Sequence, residues 1–206
     1  MNNELPFPQL SLQEFKNSVM NRLLDIFNYP CPLISPFTSK MNSRLVIYNE
    51  MQPIDTNFLM SIISISKSMG EEGFYFSFVE VYDYKIWYPG MPNEEKYLKS
   101  WFIPFDKVKD YQEQIFLTNH VVYSQLGNWG VFVNVDHFLI MGGISGFMSQ
   151  IYARHPNLNE KTDEFIQAWK DWNLNLNYKL EWIPDLLEHI YGMERAKLLI
   201  QKHKLK

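Results

Sequence analysis

The chain has 206 residues, of which 46% are hydrophobic and 16% aromatic, and it carries a formal net charge of −4 at pH 7. This composition excludes a disordered chain, because so many apolar side chains can bury enough surface to offset the entropy of ordering. The small acidic excess argues against nucleic acid as the main partner, since nucleic-acid-binding domains are usually basic. It would suit a basic protein partner, but a small acidic excess is also the commonest state of cytosolic proteins.

Cysteine usage and hydropathy favour a cytoplasmic location. Cys31 is the single cysteine, so no internal disulfide can form, as is usual in reducing compartments. No run of residues approaches the roughly 20 apolar positions that span a bilayer. Residues 1–10 also lack the basic patch and apolar core of a signal peptide, so we expect no membrane partner. The abundant Asn, Lys, Ile, Tyr and Phe residues indicate an AT-rich coding bias, as in low-GC bacteria.

The first predicted element is a helix that begins after Ser11. Ser11 and Glu14 have the spacing of a capping box, in which each side chain binds the backbone N–H of the other residue. One face then carries apolar side chains at helical spacing: Leu12, Phe15, Val19, Leu23, Ile26 and Phe27. Pro30 and Pro32 end the helix, because proline cannot continue it. We expect the apolar face to pack on a sheet.

Strands alternate with helices in the next part of the chain. A strand is predicted at 44–48, and Asp55 is placed to cap a helix that runs to about residue 69, where Gly70 closes it. Residues 73–83 form the strongest strand candidate, with Phe74, Phe76, Phe78 and Tyr82 on one face. A strand at 101–105 contains Pro104, which confines it to an edge or an end of the sheet. Residues 107–114 are a charged, helical connector.

Three short strands are predicted in the centre of the chain, at 119–124, 129–135 and 138–141. The gaps between them are too short for a parallel crossover, which indicates an antiparallel meander. In the middle strand Trp129, Val131, Val133 and Val135 share one face, as in a half-buried strand. We expect this strand at or near the centre of the sheet.

Helices dominate the remainder. Residues 145–155 form one that Pro156 ends, and residues 162–177 form another with a predicted buried face of Phe165, Trp169, Trp172 and Leu176. Pro184 opens a third, which Gly192 closes, and residues 193–204 form the last. No linker is evident. The sequence therefore predicts one α+β domain over residues 1–206, with an antiparallel sheet of about five to six strands, covered by helices that include a C-terminal segment from about residue 145.

The sequence contains no pattern typical of a catalytic, metal or cofactor site. The five histidines are too far apart to form the local ligand pairs that zinc sites usually show. Asp136 and His137 are most simply a hairpin turn, and Glu71-Glu72 a solvated loop end. We therefore predict no catalytic residue, no metal and no cofactor, and the sequence favours a protein that is not an enzyme.

A glycine cluster offers an alternative function. Gly142-Gly143 follows a predicted strand and precedes a helix, a context in which backbone N–H groups can hold an anion. The cluster lacks both a P-loop lysine and the G-x-G-x-x-G spacing, so a tight turn is the simpler interpretation. The alternative is a small-molecule-binding domain or an enzyme with a pocket at this turn.

An aromatic and acidic stretch, residues 82–101, is the predicted interaction surface. Tyrosine and tryptophan provide rigid contact area at protein interfaces, and acids steer a basic partner. The predicted partner-binding residues are Tyr82, Asp83, Tyr84, Trp87, Tyr88, Glu94 and Glu95. The competing interpretation is that these aromatic side chains complete the core.

One set of residues carries a family resemblance: Tyr123-Ser124, the run 127–131 with Trp129-Gly130, Asp136, and Gly142-Gly143 before a helix that contains Phe147. This pattern resembles small bacterial α+β immunity proteins of polymorphic toxin systems. The resemblance brings no catalytic residue with it. It implies a non-enzymatic protein that binds and blocks a toxin enzyme, often through an acidic face.

Overall fold

The structure is a computed structural model and describes residues 5–28, 35–49, 54–78, 99–114 and 119–205. At its centre lies a sheet built from β1 (Ser43–Tyr48), β2 (Gly73–Phe78), β3 (Ser100–Pro104), β4 (His120–Ser124), β5 (Trp129–Asn134) and β6 (Phe138–Gly143). The strand order is β1-β6-β5-β4-β2-β3, and every neighbouring pair is antiparallel. The predicted α+β class, the meander of β4, β5 and β6, and the interior position of β5 are confirmed.

Helices flank this sheet. The N-terminal helical stretch consists of α1 (Leu12–Glu14), a π-helical segment (Phe15–Val19) and α2 (Met20–Ile26). The later helices are α3 (Thr56–Ser68), a 3₁₀ turn (Phe105–Lys107), α4 (Val108–Gln112), α5 (Ser145–Arg154), α6 (Leu158–Leu176), α7 (Ile183–Tyr191) and α8 (Met193–His203). The C-terminal helical segment expected from about residue 145 is thus confirmed.

Local capping explains where two of these helices begin. The Ser11 N–H donates to Glu14 Oε2 at 2.8 Å and the Glu14 N–H donates to Ser11 Oγ at 3.2 Å, so the predicted capping box is present. Asp55 Oδ1 accepts from the Phe58 N–H at 2.9 Å and caps α3, as predicted. Gly70 follows α3 with a φ of 88°, a left-handed value that glycine adopts without a steric cost.

Both faces of the sheet are buried. On one face Trp129, Val131 and Val133 join a core formed with α3 and α5. On the other face Phe132 joins a core formed with α2, α6 and α7. All six residues of β5 are buried, so the prediction of a half-buried strand is wrong. The physical reason is that helices from the two ends of the chain converge on the second face.

Two glycines let aromatic rings approach that second face. Gly130 and Gly142 lie opposite each other in the β5–β6 register. A Cβ atom on Gly130 would lie 2.6 Å from the Phe27 ring, and one on Gly142 would lie 2.7 Å from the Phe37 ring. The two rings stack with centroids 5.4 Å apart. Gly130 and Gly142 therefore form a glycine trough that Phe27 and Phe37 fill.

Side chains from the C-terminal half occupy the outer edge of β1. The Tyr191 hydroxyl accepts from the Val46 N–H at 3.2 Å, and the Thr162 hydroxyl donates to the Val46 carbonyl at 2.9 Å. The Tyr152 hydroxyl donates to the Arg44 carbonyl at 3.2 Å. An edge strand whose backbone groups are already bound offers fewer of them to another chain, so these hydroxyls protect β1 from edge-to-edge pairing.

The opposite edge, β3, is covered by the N-terminal segment. The Leu10 N–H donates to the Ser100 carbonyl at 2.9 Å, and Gln9 forms a β-bridge with Trp101. Pro104, which has no N–H to donate, is the last residue of this strand. The predicted position of Pro104 at an edge and an end is confirmed.

A partly buried polar cluster connects α7 to β1. The Arg44 guanidinium donates to the carbonyl oxygens of Met41, Thr38 and His189. His189 Nε2 accepts from the Phe37 N–H at 3.2 Å, and Nδ1 lies 3.0 Å from Ser35 Oγ and 3.3 Å from the Arg44 guanidinium. Burial and the nearby charge of Arg44 lower the pKa of His189 to about 4. The imidazole is therefore neutral in the folded protein at pH 7.

Replacing Gly142 by alanine should destabilise the protein by about 1–3 kcal/mol, because the new methyl group would overlap Cγ of the Phe37 ring. The measurement is the free energy of unfolding in urea. Gly146→Ala is the matched control, since no atom lies within 4 Å of its added Cβ and alanine favours a helix over glycine. Equal stabilities for the two variants would contradict the glycine trough.

Stability should fall as the pH is lowered from about 6.5 to about 4, because the unfolded histidine binds a proton in this interval that folded His189 excludes. Below about 4 both states are protonated and this contribution no longer changes. The measurement is the free energy of unfolding against pH for the natural chain and His189→Gln, whose neutral side chain does not titrate. If the two slopes agree between these pH values, the pKa of His189 is not lowered.

Candidate functional site

The predicted interaction surface lies outside the described residues. Residues 79–98 contain all seven predicted partner-binding positions: Tyr82, Asp83, Tyr84, Trp87, Tyr88, Glu94 and Glu95. Trp101, at the end of the stretch, is described and belongs to the core: it is 3% exposed and contacts the rings of Phe76 and Phe78. For Trp101 the competing interpretation is therefore correct, and the other positions stay a prediction.

The Gly142-Gly143 pair is not a turn. Both residues belong to β6, and Ile144 is the N-cap of α5. The Phe37 ring fills the space over Gly142, and a Cβ atom on Gly143 would meet Met148 at 3.1 Å. These glycines therefore have a packing role, and the space over them is filled by side chains. The tight turn expected there was wrong, and the alternative function, an enzyme or small-molecule-binding domain, stays a prediction.

Two predicted polar turns have different outcomes. His137 has a φ of 62°, and the Asp136 N–H is bound by Asn134 Oδ1 at 2.6 Å, so this pair forms the expected hairpin turn. Glu71, by contrast, is only 4% exposed and accepts from Ser124 Oγ at 2.6 Å. Burial raises the pKa of Glu71. The expectation of a solvated loop end was wrong for Glu71, because its carboxylate connects the α3–β2 turn to the β4–β5 hairpin.

The described residues show an aromatic cluster where α6 meets α7. Trp169 lies against Trp182 with ring centroids 4.9 Å apart and against Tyr178 at 5.6 Å, and Trp172 lies 6.0 Å from Tyr178. Asn177, the C-cap that follows α6, adopts a left-handed φ of 57°, where the chain leaves the helix. The cluster therefore forms a rigid base for the residues around it.

Two leucines project into solvent beside this aromatic cluster. Leu174 is 78% exposed, the highest value for a large hydrophobic side chain among the described residues, and Leu176 is 62% exposed. Leu176 was predicted to lie on the buried face of α6, and that prediction is wrong. Leu176 is the last residue of α6, whereas the last buried residue of this helix is Trp169. The helical spacing of apolar residues thus continues beyond the part of the helix that packs on the core.

Acidic side chains surround the two leucines in sequence. Residues 171–188 include one base, Lys179, and four exposed acids: Asp171, Glu181, Asp185 and Glu188. Asp171 and Leu174 are three residues apart on α6 and so lie on the same side of the helix. We refer to residues 171–188 as the α6–α7 surface. It combines the exposed apolar and acidic character that the sequence analysis assigned to residues 82–101.

The signal for this surface was present in the sequence. The run from Trp169 to Trp182 has apolar residues at nearly every second position after Trp172, a spacing that one helix cannot bury on one face. The helical period includes Leu176 and leaves out Leu174, so periodicity alone predicts a buried Leu176 and gives no signal for Leu174.

Comparisons with known proteins give no information about the function of this site. A scan against protein-family models, a search of curated proteins and a search of solved structures each gave no match to the chain. Among the described residues, no three His, Cys, Asp or Glu side chains come together as possible metal ligands. None of the helices in the described ranges has the length and apolar character needed to cross a membrane.

Proposed function

We propose that this protein is a non-enzymatic protein-binding module of the immunity type, which binds a basic partner protein through the α6–α7 surface. The observation that carries the proposal is the exposure of Leu174 and Leu176, 78% and 62%, beside a packed aromatic cluster. Exposed large apolar side chains next to aromatic ones are typical of protein interfaces.

The free energy for this binding would come from burying the leucines. Removing a leucine side chain fully from water contributes about 1.5–3 kcal/mol. The aromatic cluster holds the end of α6 in place, with Asn173 Nδ2 donating to the Tyr178 carbonyl at 2.6 Å. Less conformational entropy is then lost on binding, because the surface is ordered before the partner arrives.

The negative charge of the α6–α7 surface indicates a partner with a basic surface. The four exposed acids would attract a basic surface and accelerate its association. A second copy of the chain is a poorer occupant, because a two-fold symmetric interface places the same patch against itself and would bring these acids together. An acidic face is also what the resemblance to immunity proteins implies for binding a toxin enzyme.

The test begins with a photo-crosslinking residue at position 174 in the native host, and the crosslinked partner is then purified. Binding of the natural chain and of the double variant Leu174→Ser, Leu176→Ser is compared by calorimetry. The affinity should fall roughly 100-fold or more, since about 1.4 kcal/mol corresponds to a tenfold change and each leucine contributes about 1.5–3 kcal/mol when buried.

The matched control is Leu198→Ser on α8, since Leu198 is 66% exposed and lies outside the α6–α7 surface. It should bind like the natural chain, and both variants should keep the natural melting temperature. The proposal is overturned if no partner is crosslinked, if the double variant binds normally, or if the crosslinked partner is a second copy of the chain. Glu181→Lys with Asp185→Lys should chiefly slow association and reduce its salt dependence.

A further inference from the structure

A cleft opens at the other end of α6. Its volume is about 650 Å³, and it lies between the end of β1, the beginning of α3 and the connection from α5 to α6. We call it the α3–α6 cleft and define it by Ile47, Ile54, Phe58, Leu139, Arg154 and Lys161. Its size falls in the range of about 300–1,000 Å³ that is typical of small-molecule sites.

Buried apolar side chains line the deep part of the cleft. Ile47, Ile54, Phe58, Leu139 and Leu158 all line it, and each is at most 6% exposed. All five side chains belong to one packed core, to which β1, β6, α3, α6 and the residue before the α3 cap contribute. An apolar ligand group placed here would be removed from water and would contact these apolar side chains.

The mouth of the cleft carries charged side chains. Arg154 and Lys161 are exposed lining residues, and Asp55 is the single acid that lines the cleft. The Arg154 guanidinium donates to the Ser61 carbonyl at 3.2 Å, which holds the side chain near α3. His155 Nε2 lies 2.8 Å from Ser61 Oγ and its ring packs on Phe58, so this wall is also fixed.

The balance of these charges indicates a ligand with one negative charge. Two cations and one acid leave a single net positive charge at the mouth, and the acid is already bound to the Phe58 N–H as the cap of α3. Lys161 lies 2.7 Å from Glu164, which does not line the cleft. An anionic ligand would compete with Glu164 for Lys161. The first turn of α6 contains Leu158, which lines the cleft, and the exposed Glu160, whose charge offsets the positive end of the helix.

We infer that the α3–α6 cleft binds an amphipathic monocarboxylate, with its aliphatic or aromatic body on the apolar residues and its carboxylate near Arg154 and Lys161. Guanidinium and ammonium groups both form charge-assisted hydrogen bonds with a carboxylate. A neutral molecule of the same shape would gain only the apolar contribution. A fatty acid of medium chain length is the simplest ligand with this chemistry.

This site is independent of the α6–α7 surface. Leu158 and Leu174 lie on the same helix, sixteen positions apart, which corresponds to roughly 24 Å at 1.5 Å per residue. A variant in the cleft should therefore leave partner binding unchanged, and the double leucine variant should leave carboxylate binding unchanged. Each proposal can fail without the other.

The test uses the full chain with decanoate and, as the neutral probe, decanol. Methyl NMR of isoleucine and leucine residues should show saturable shifts at Ile47 and Leu139 on addition of decanoate. Arg154→Gln and Lys161→Gln should each weaken decanoate binding by about two- to fivefold, the range expected for one exposed ion pair. Neither substitution should change the weaker binding of decanol.

Lys197→Gln is the matched control, because Lys197 is also an exposed lysine with a glutamate three residues away in sequence, Glu194. It should leave decanoate binding unchanged, and unchanged melting temperatures would show that the variants are folded. The inference is overturned if decanoate does not saturate, if its shifts lie outside the cleft, or if decanoate and decanol bind equally. It is also overturned if Lys197→Gln weakens binding as much as Lys161→Gln.

Discussion

The close approach of Phe27 and Phe37 to the glycine trough is the contact on which the second face of the sheet depends. Side chains on Gly130 and Gly142 would hold both rings away from the strands. With the trough open, α2 and residues 35–41 reach the sheet, and the Phe37 backbone is then placed to bind His189. Arg44 and α7 join the same arrangement. Gly130 and Gly142 therefore have a direct packing role.

Local signals predicted most of the secondary structure. Ser11, Asp55 and Gly70 act through side chains or dihedral angles of their immediate neighbours, so the sequence is sufficient to identify them. Burial on both sides of β5 was not predictable in the same way. Gly130 on its second face gives no hydropathy signal, and α2, α6 and α7 come from distant parts of the chain. The pairing of β1 with β6 has the same long-range origin.

The functional surfaces were harder to predict than the fold. The surface predicted at residues 82–98 lies outside the described residues and stays a prediction, and the similar aromatic and acidic composition at 171–188 is found at the end of a helix beside a left-handed Asn177. The lining of the α3–α6 cleft comes from five separate stretches of sequence, so no local motif marks it. Leu176 shows most clearly why burial is hard to predict from sequence. Periodicity gives the side of the helix on which a side chain lies, but not how far the core extends along that side.

The helix α6 is the common support of both proposed sites. Its central side chains, Thr162, Phe165 and Ile166, are buried against the sheet, and Thr162 binds the backbone of β1. One end of the helix borders the cleft and the other end carries the exposed leucines. Sites held by a packed helix keep their geometry better than sites on loops, so the same contacts that stabilise the fold also order both binding surfaces.

The position of β1 has a consequence for synthesis on the ribosome. Tyr48 pairs with Phe138, so β1 has no strand partner until about 90 further residues have been translated, which takes roughly 5–18 s at typical rates. Its outer edge waits longer, because Tyr191 is made later still. During this interval the nascent chain displays an apolar strand with both edges open. Until β6 has been made, residues 43–48 therefore have no strand of their own chain to pair with, which is when pairing with a neighbouring chain competes most strongly.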